Sequence, residues 1–290
     1  MLIGQLGRRS ARSRLSFHKL LGATFPHSHS VRWQSKNAEI LHDGPPVTDT
    51  NRAEITQKRF WSEVGVQQRG NALVVTLDNR ALKTPSGKIL QLPLNKSLPA
   101  SLIATEWDNQ EVVLKPHALP MTSVVSRAID AMGDEGTQSE VRAALVKYIH
   151  TDTICFFHNI PEPLERLQSE HWTPLLDWAR TTFDVEINVS NSVLSVRQPI
   201  ETEQKLVKVL ESFDHWQMAA LERATYASKS LIIALALVMH HLTVEQASLA
   251  ALVEVSSQIE RWGEVEDTHD VDYHDIRRQL GSAATILSTV

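Results

Sequence analysis

Residues Ile259 to Asp275, IERWGEVEDTHDVDYHD, concentrate the groups of this chain that could do chemistry. Glu260, Glu264, Glu266, Asp267, Asp270, Asp272 and Asp275 surround His269 and His274, with Trp262 and Gly263 at the start. Three kinds of chemistry fit such a set. Carboxylates and imidazoles at i, i+3 and i, i+4, as in His269/Asp272 and Asp270/His274, can face a metal ion from one side of a helix. The adjacent His274-Asp275 pair is of the kind some metal-dependent phosphohydrolases use, so a hydrolase built on His269, Asp270, Asp272 and His274 is one alternative. Such sites need further histidines, and the others in this chain have no ligand-like spacing. In the second reading Asp267, Thr268 and Asp270 cap the start of the last helix and complement its dipole. In the third, Trp262 among carboxylates is a surface that grips another protein.

Other chemistry is poorly supplied. There is no GxxxxGK[ST] loop, no GxGxxG between a strand and a helix, and no GxSxG elbow. Cys155 is the single cysteine, so an internal disulfide and a cysteine-based zinc site are both excluded. It lies in the apolar run Ile154-Cys155-Phe156-Phe157, which suits a buried small hydrophobe better than a nucleophile, although His150 and His158 flank it. His240 and His241 are adjacent and would point about 100° apart on a helix, which suits a helix end better than a shared ligand.

The elements that must position these groups change character along the chain. Leu73 to Leu77 reads as a strand, Asp78-Asn79 as a turn, Thr84 to Lys88 as a hairpin turn, and Ile89 to Leu92 as the returning strand. A helix follows with Ser97 as its N-cap, carrying Trp107 on its apolar face, and a short strand is expected at 111–114. After Pro120 the period becomes helical. Met121, Val124, Val125, Ala128, Ile129 and Met132 make one stripe. Capping boxes at Thr137–Glu140 and Thr243–Gln246 open further helices. One helix is expected from Leu164 to Ala179, a short strand at 185–189, a long helix over 215–240, one from 243 to Arg261 closed by Gly263, and a last one over 271–286. Strands and then helices predict an α+β chain: a small β-rich N-terminal domain over 58–120 and a larger all-helical C-terminal domain over 121–290.

The first 38 residues contain no acid, carry Arg8, Arg9, Arg12, Arg14, Lys19 and Arg32, and are rich in serine. That is the pattern of a mitochondrial or plastid transit peptide, expected over 1–33 and followed by an arm over 34–57. Removal of the six basic groups takes the formal charge from −5 to −11. So acidic a chain is a poor partner for nucleic acid. The longest apolar run, Leu231 to Met239, is too short to span a bilayer.

Several motifs recur in one order: Arg59-Phe60-Trp61-Ser62-Glu63-Val64, Val75 to Pro85, Glu106-Trp107-Asp108-Asn109-Gln110, Pro120-Met121-Thr122-Ser123, Ala128-Ile129-Asp130, Thr151 to Cys155, Leu242 to Ala247, and Arg261-Trp262-Gly263-Glu264-Val265-Glu266. With them the chain resembles, over about 58–285, the mitochondrial assembly chaperones that handle the α subunit of the F(1) head of ATP synthase. The resemblance implies a matrix protein that is not an enzyme and uses no cofactor. It implies binding of the unassembled α subunit until the β subunit replaces it. The free protein is expected to be a monomer. It maps partner binding onto Glu264 and Glu266, with Asp267 and Trp262 beside them. Trp107 and Gly263 are expected to be structural.

Overall fold

The computed structural model describes residues 58–192 and 196–289. The expected transit peptide at 1–33 and the expected arm at 34–57 lie outside the described residues. Four strands come first: β1 (Val64–Arg69), β2 (Ala72–Leu77), β3 (Arg80–Ala81) and β4 (Gln91–Pro93). β2 is central. It pairs antiparallel with β1 along its whole length, from Val64↔Leu77 to Arg69↔Ala72. Its other edge is shared by β3 and β4, through Leu77↔Arg80 and Leu73↔Leu92. The β2–β3 turn puts Asp78 and Asn79 at φ 47° and 65°, the left-handed region that Asp and Asn tolerate best.

The helices follow: α1 (Ser97–Asp108), α2 (Pro120–Asp130), α3 (Glu135–Lys147), α4 (Glu162–His171), α5 (Thr173–Phe183), α6 (Ile200–Glu211), α7 (His215–Ser228), α8 (Leu231–Val238), α9 (Val244–Ala251), α10 (Val253–Trp262) and α11 (Glu266–Thr285). The architecture is thus α+β, a small antiparallel sheet followed by helices. No helix among the described residues is long and apolar enough to cross a membrane.

Every residue of α8, from Leu231 to Val238, is buried. It packs against α7, α5 and α9, and the apolar core runs from it to Val75 and Leu92 of the sheet without interruption. Carboxylates tie these layers together. The Glu106 carboxylate accepts from the Met121 and Thr122 amides (2.6 and 2.9 Å) and from the Thr122 hydroxyl (2.7 Å), capping α2 from α1. Asp130 accepts from Thr84 Oγ1 (2.7 Å), the Ser86 amide (3.1 Å) and the Ser86 hydroxyl, so the end of α2 grips the hairpin turn. Lys96, only 6% exposed, donates to the Ile286 carbonyl at 2.7 Å and joins α1 to the end of α11.

Several boundaries differ from the sequence expectation. The helix expected over 215–240 is two helices, because Lys229 takes φ 55° and Ser230 starts a new one. Ser230 Oγ accepts from the Ile233 amide (3.1 Å), and the buried Asp152 accepts from the Ile232 amide (3.1 Å), from 80 residues away. The expected 164–179 helix breaks before Pro174, which has no N–H for the preceding turn. Trp172 at that break is buried and donates Nε1–H to the Ala250 carbonyl at 2.8 Å. The 243–261 helix divides at Leu252, so that α9 packs on α8 and α11 while α10 packs on α4. The strand expected at 111–114 reduces to the single bridge Lys58↔Val113, and the one expected at 185–189 does not form, the nearest pairing being the bridge Phe156↔Ser190 just after it. Lys96, not Ser97, occupies the N-cap of α1. Asp134 caps α3 by accepting from the Thr137 amide, so the expected box lies inside the helix. The Thr243–Gln246 box forms as expected.

Burial pushes the Asp152 carboxyl up to about 6, against hydrogen bonds from the Ser230 side chain and neighbouring amides that favour its charged form. Asp152→Asn turns one acceptor into a donor that faces an amide. It should lower unfolding free energy by about 1–3 kcal/mol, measured by urea denaturation.

Candidate functional site

α10 ends where Gly263 donates its amide to the Ile259 carbonyl at 2.8 Å. Gly263 sits at φ 86°, a conformation that side chains with a Cβ resist. The chain then reverses through Glu264 and Val265 into α11. Trp262 is left 70% exposed at the turn, with the Arg261 guanidinium 4.9 Å from its ring centroid. Glu264, Val265, Glu266 and Asp267 are all exposed. Glu266 and Asp267 occupy the first turn of α11, where carboxylates complement the helix dipole. The expected residues are therefore together: an aromatic ring and three carboxylates on one short surface junction, held by a glycine turn.

The capping arrangement differs from expectation. Val265 is the N-cap of α11, and its amide donates to His269 Nδ1 at 3.0 Å. No side chain of Asp267, Thr268 or Asp270 performs that role. The alternative metal site does not assemble either. His269 is engaged with its own helix end, His274 lies edge-on to Tyr273, and Asp275 accepts from Arg278 and Gln279. Among the described residues no three His, Cys, Asp or Glu side chains converge on a common point.

The remaining candidates have structural settings. Cys155 is buried, and burial raises its thiol pKa far above the usual range. Its Sγ accepts from Gln198 Nε2 at 3.7 Å. His150 faces elsewhere, with Nε2 3.1 Å from Glu203 and Nδ1 accepting from the Gln198 amide. His241 stacks on Trp178 at 4.6 Å, while His240 takes φ 58° at the helix end. Trp107 is half-buried, donates Nε1–H to Thr122 Oγ1 at 3.0 Å, and packs against Trp61 with centroids 5.0 Å apart. Glu106, beside it, had no signal of its own: a carboxylate on the flank of an apolar stripe looks like a solvated residue until the α2 amides are placed against it.

Comparison with known proteins assigns the class. Residues 58–180 match the family model for the ATP12 chaperone protein. The mitochondrial protein atp12 of Schizosaccharomyces pombe is 32% identical over 237 residues, covering 79% of this chain and 81% of that protein. The mitochondrial ATP12 of Saccharomyces cerevisiae is 29% identical, covering 89% and 92%. The crystal structure of Atp12 from Paracoccus denitrificans is 29% identical, superposes with a TM-score of 0.66, and covers 80% of this chain and 98% of that one. Fold and sequence together define a chaperone. The chain belongs to the ATP12 chaperone family.

The environments separate two kinds of tryptophan. Trp107→Ala should cost about 3 kcal/mol of stability, read from the denaturation midpoint. Trp262→Ala should change it by less than about 0.5 kcal/mol. Gly263→Ala should destabilise by about 1 kcal/mol, because alanine is strained at that φ.

Proposed function

We propose that this protein is a mitochondrial matrix chaperone of ATP synthase assembly. It binds the unassembled α subunit of the F(1) head, prevents its self-association and yields it to the β subunit. It is monomeric when free and acts by binding alone, with no catalysis and no cofactor, after removal of the leader at 1–33. Membership of the ATP12 family supports the chaperone reading, and the mitochondrial names of the two yeast relatives support the location. The observation that carries the site is Trp262, a large aromatic held at the surface beside Glu264, Glu266 and Asp267.

The physics suits a partner that must later leave. An exposed aromatic supplies apolar contact area, and aromatic anchors dominate many interfaces. Exposed carboxylates add steering and selectivity more than raw affinity. A mostly polar surface stays soluble once the partner has gone.

Charge reversal tests this directly. Glu266→Lys should leave the unfolding midpoint unchanged and weaken capture of isolated α subunit at least tenfold in a pull-down. Full retention by that variant would remove Glu266 from the site. Failure of the wild-type protein to capture α subunit would refute the partner assignment.

A further inference from the structure

A cleft of about 300 Å3 lies between the start of α4 and the length of α10. Pro161 and Leu164 form one wall, and Ser257 and Trp262 form the other. Glu254, Gln258 and Arg261 complete it. Arg166 on α4 reaches Glu260 on α10 with one guanidinium nitrogen 2.7 Å from each carboxylate oxygen, which links the two helices beside the cleft. Trp262 of the lining is 70% exposed, and Ile160, adjacent in the chain to Pro161 but outside the lining itself, is 82% exposed. A volume near the bottom of the usual range for ligand clefts, roughly 300–1,000 Å3, suits one inserted side chain. Exposed apolar groups rimmed by polar ones mark binding surfaces.

The charge around the cleft selects the occupant. Segments 160–171 and 254–267 carry eight carboxylates against two guanidiniums. Both guanidiniums are already engaged, Arg166 with Glu260 and Glu170, and Arg261 with the Trp262 ring. Glu162, Glu165 and Glu254 are exposed around the same helices, and none of them appears in an ion pair among the described residues.

We propose that this cleft seats a basic segment of the bound partner, one apolar side chain inserted between Leu164 and Trp262 with Lys or Arg residues on either side of it. The inference rests on reading the Trp262 junction as the partner site, and it extends that site across α10 onto α4. The apolar side chain gains from losing water between Pro161, Leu164 and the indole, while the flanking cations are drawn by a net negative surface. The junction at Glu264 to Asp267 and the cleft are then two ends of one footprint.

The test measures affinity of the full chain for isolated α subunit at low and high salt. Ile160→Asp should weaken binding at least tenfold. Glu254→Lys should weaken it several-fold and reduce the salt dependence. Val112→Asp, at another strongly exposed apolar side chain before α2, should bind like wild type. All three positions are exposed, so their unfolding midpoints should match wild type. If Ile160→Asp and Glu254→Lys bind normally while Glu266→Lys does not, the junction stands and the cleft proposal falls. If Val112→Asp loses as much as Ile160→Asp, the effect is not local and the proposal falls as well. Wild-type protein that fails to bind α subunit overturns both readings. Sedimentation that shows a wild-type dimer abolished by Ile160→Asp would give the cleft to a second copy of this chain instead.

Discussion

The fold turns on how an entirely buried helix can begin inside the core. α8 has eight apolar residues and no face for water, so its first amides cannot be hydrated. Ser230 and Asp152 meet them, through the Ile233 and Ile232 amides. Asp152 is itself fully buried and also accepts from the Ile154 amide, so the same carboxyl fixes the turn that carries Cys155. With those donors satisfied, α8 can sit at the centre, and α5, α7 and α9 can close around it. A polar group placed where apolar packing would otherwise leave orphaned amides makes the packing possible.

The same device recurs nearer the sheet. Glu106 caps α2 and Asp130 holds the Thr84–Lys88 turn, so each carboxylate joins elements that the chain forms separately. Trp107 packs beside the first of these links, against Trp61 and Thr122. Here the carboxylates are directed at backbone amides. The junction of α10 and α11 is the opposite. There the carboxylates face solvent, the indole is uncovered, and only a glycine turn and the His269 side chain organise the backbone. A chaperone needs both properties: a body that holds its shape and a surface whose contacts are left for another protein.

The division of labour along α10 follows from its neighbours. Its inner residues Val253 and Ser257 are buried. Its outer face and its end stand beside the first turn of α4. Residues nearly one hundred positions apart in the chain, Leu164 and Trp262, therefore line one cleft only through the packing of α4 on α10.

The order of strands and then helices, the apolar stripe of α2, the Thr243 box and the glycine stop at Gly263 were legible in the sequence, because each depends on local period or on a backbone conformation that few residues adopt. The segment 261–267 was legible for the same reason: aromatic, glycine and acids at fixed spacing do not need a fold to be noticed. The breaks at Lys229, Leu252 and Trp172, the loss of two short strands, and the roles of Glu106, Asp130 and Asp152 were not. They depend on which distant group meets a helix end, and a carboxylate carries no local sign of the amide it will cap. The histidines near 270, one half-buried and one exposed, show the same limit in reverse. Their spacing allowed a metal site, and only their placement along one helix, each occupied with near neighbours, decided otherwise. Local chemistry set where the elements begin and what each could offer; tertiary packing decided which groups were consumed in holding the fold and which were left at the surface.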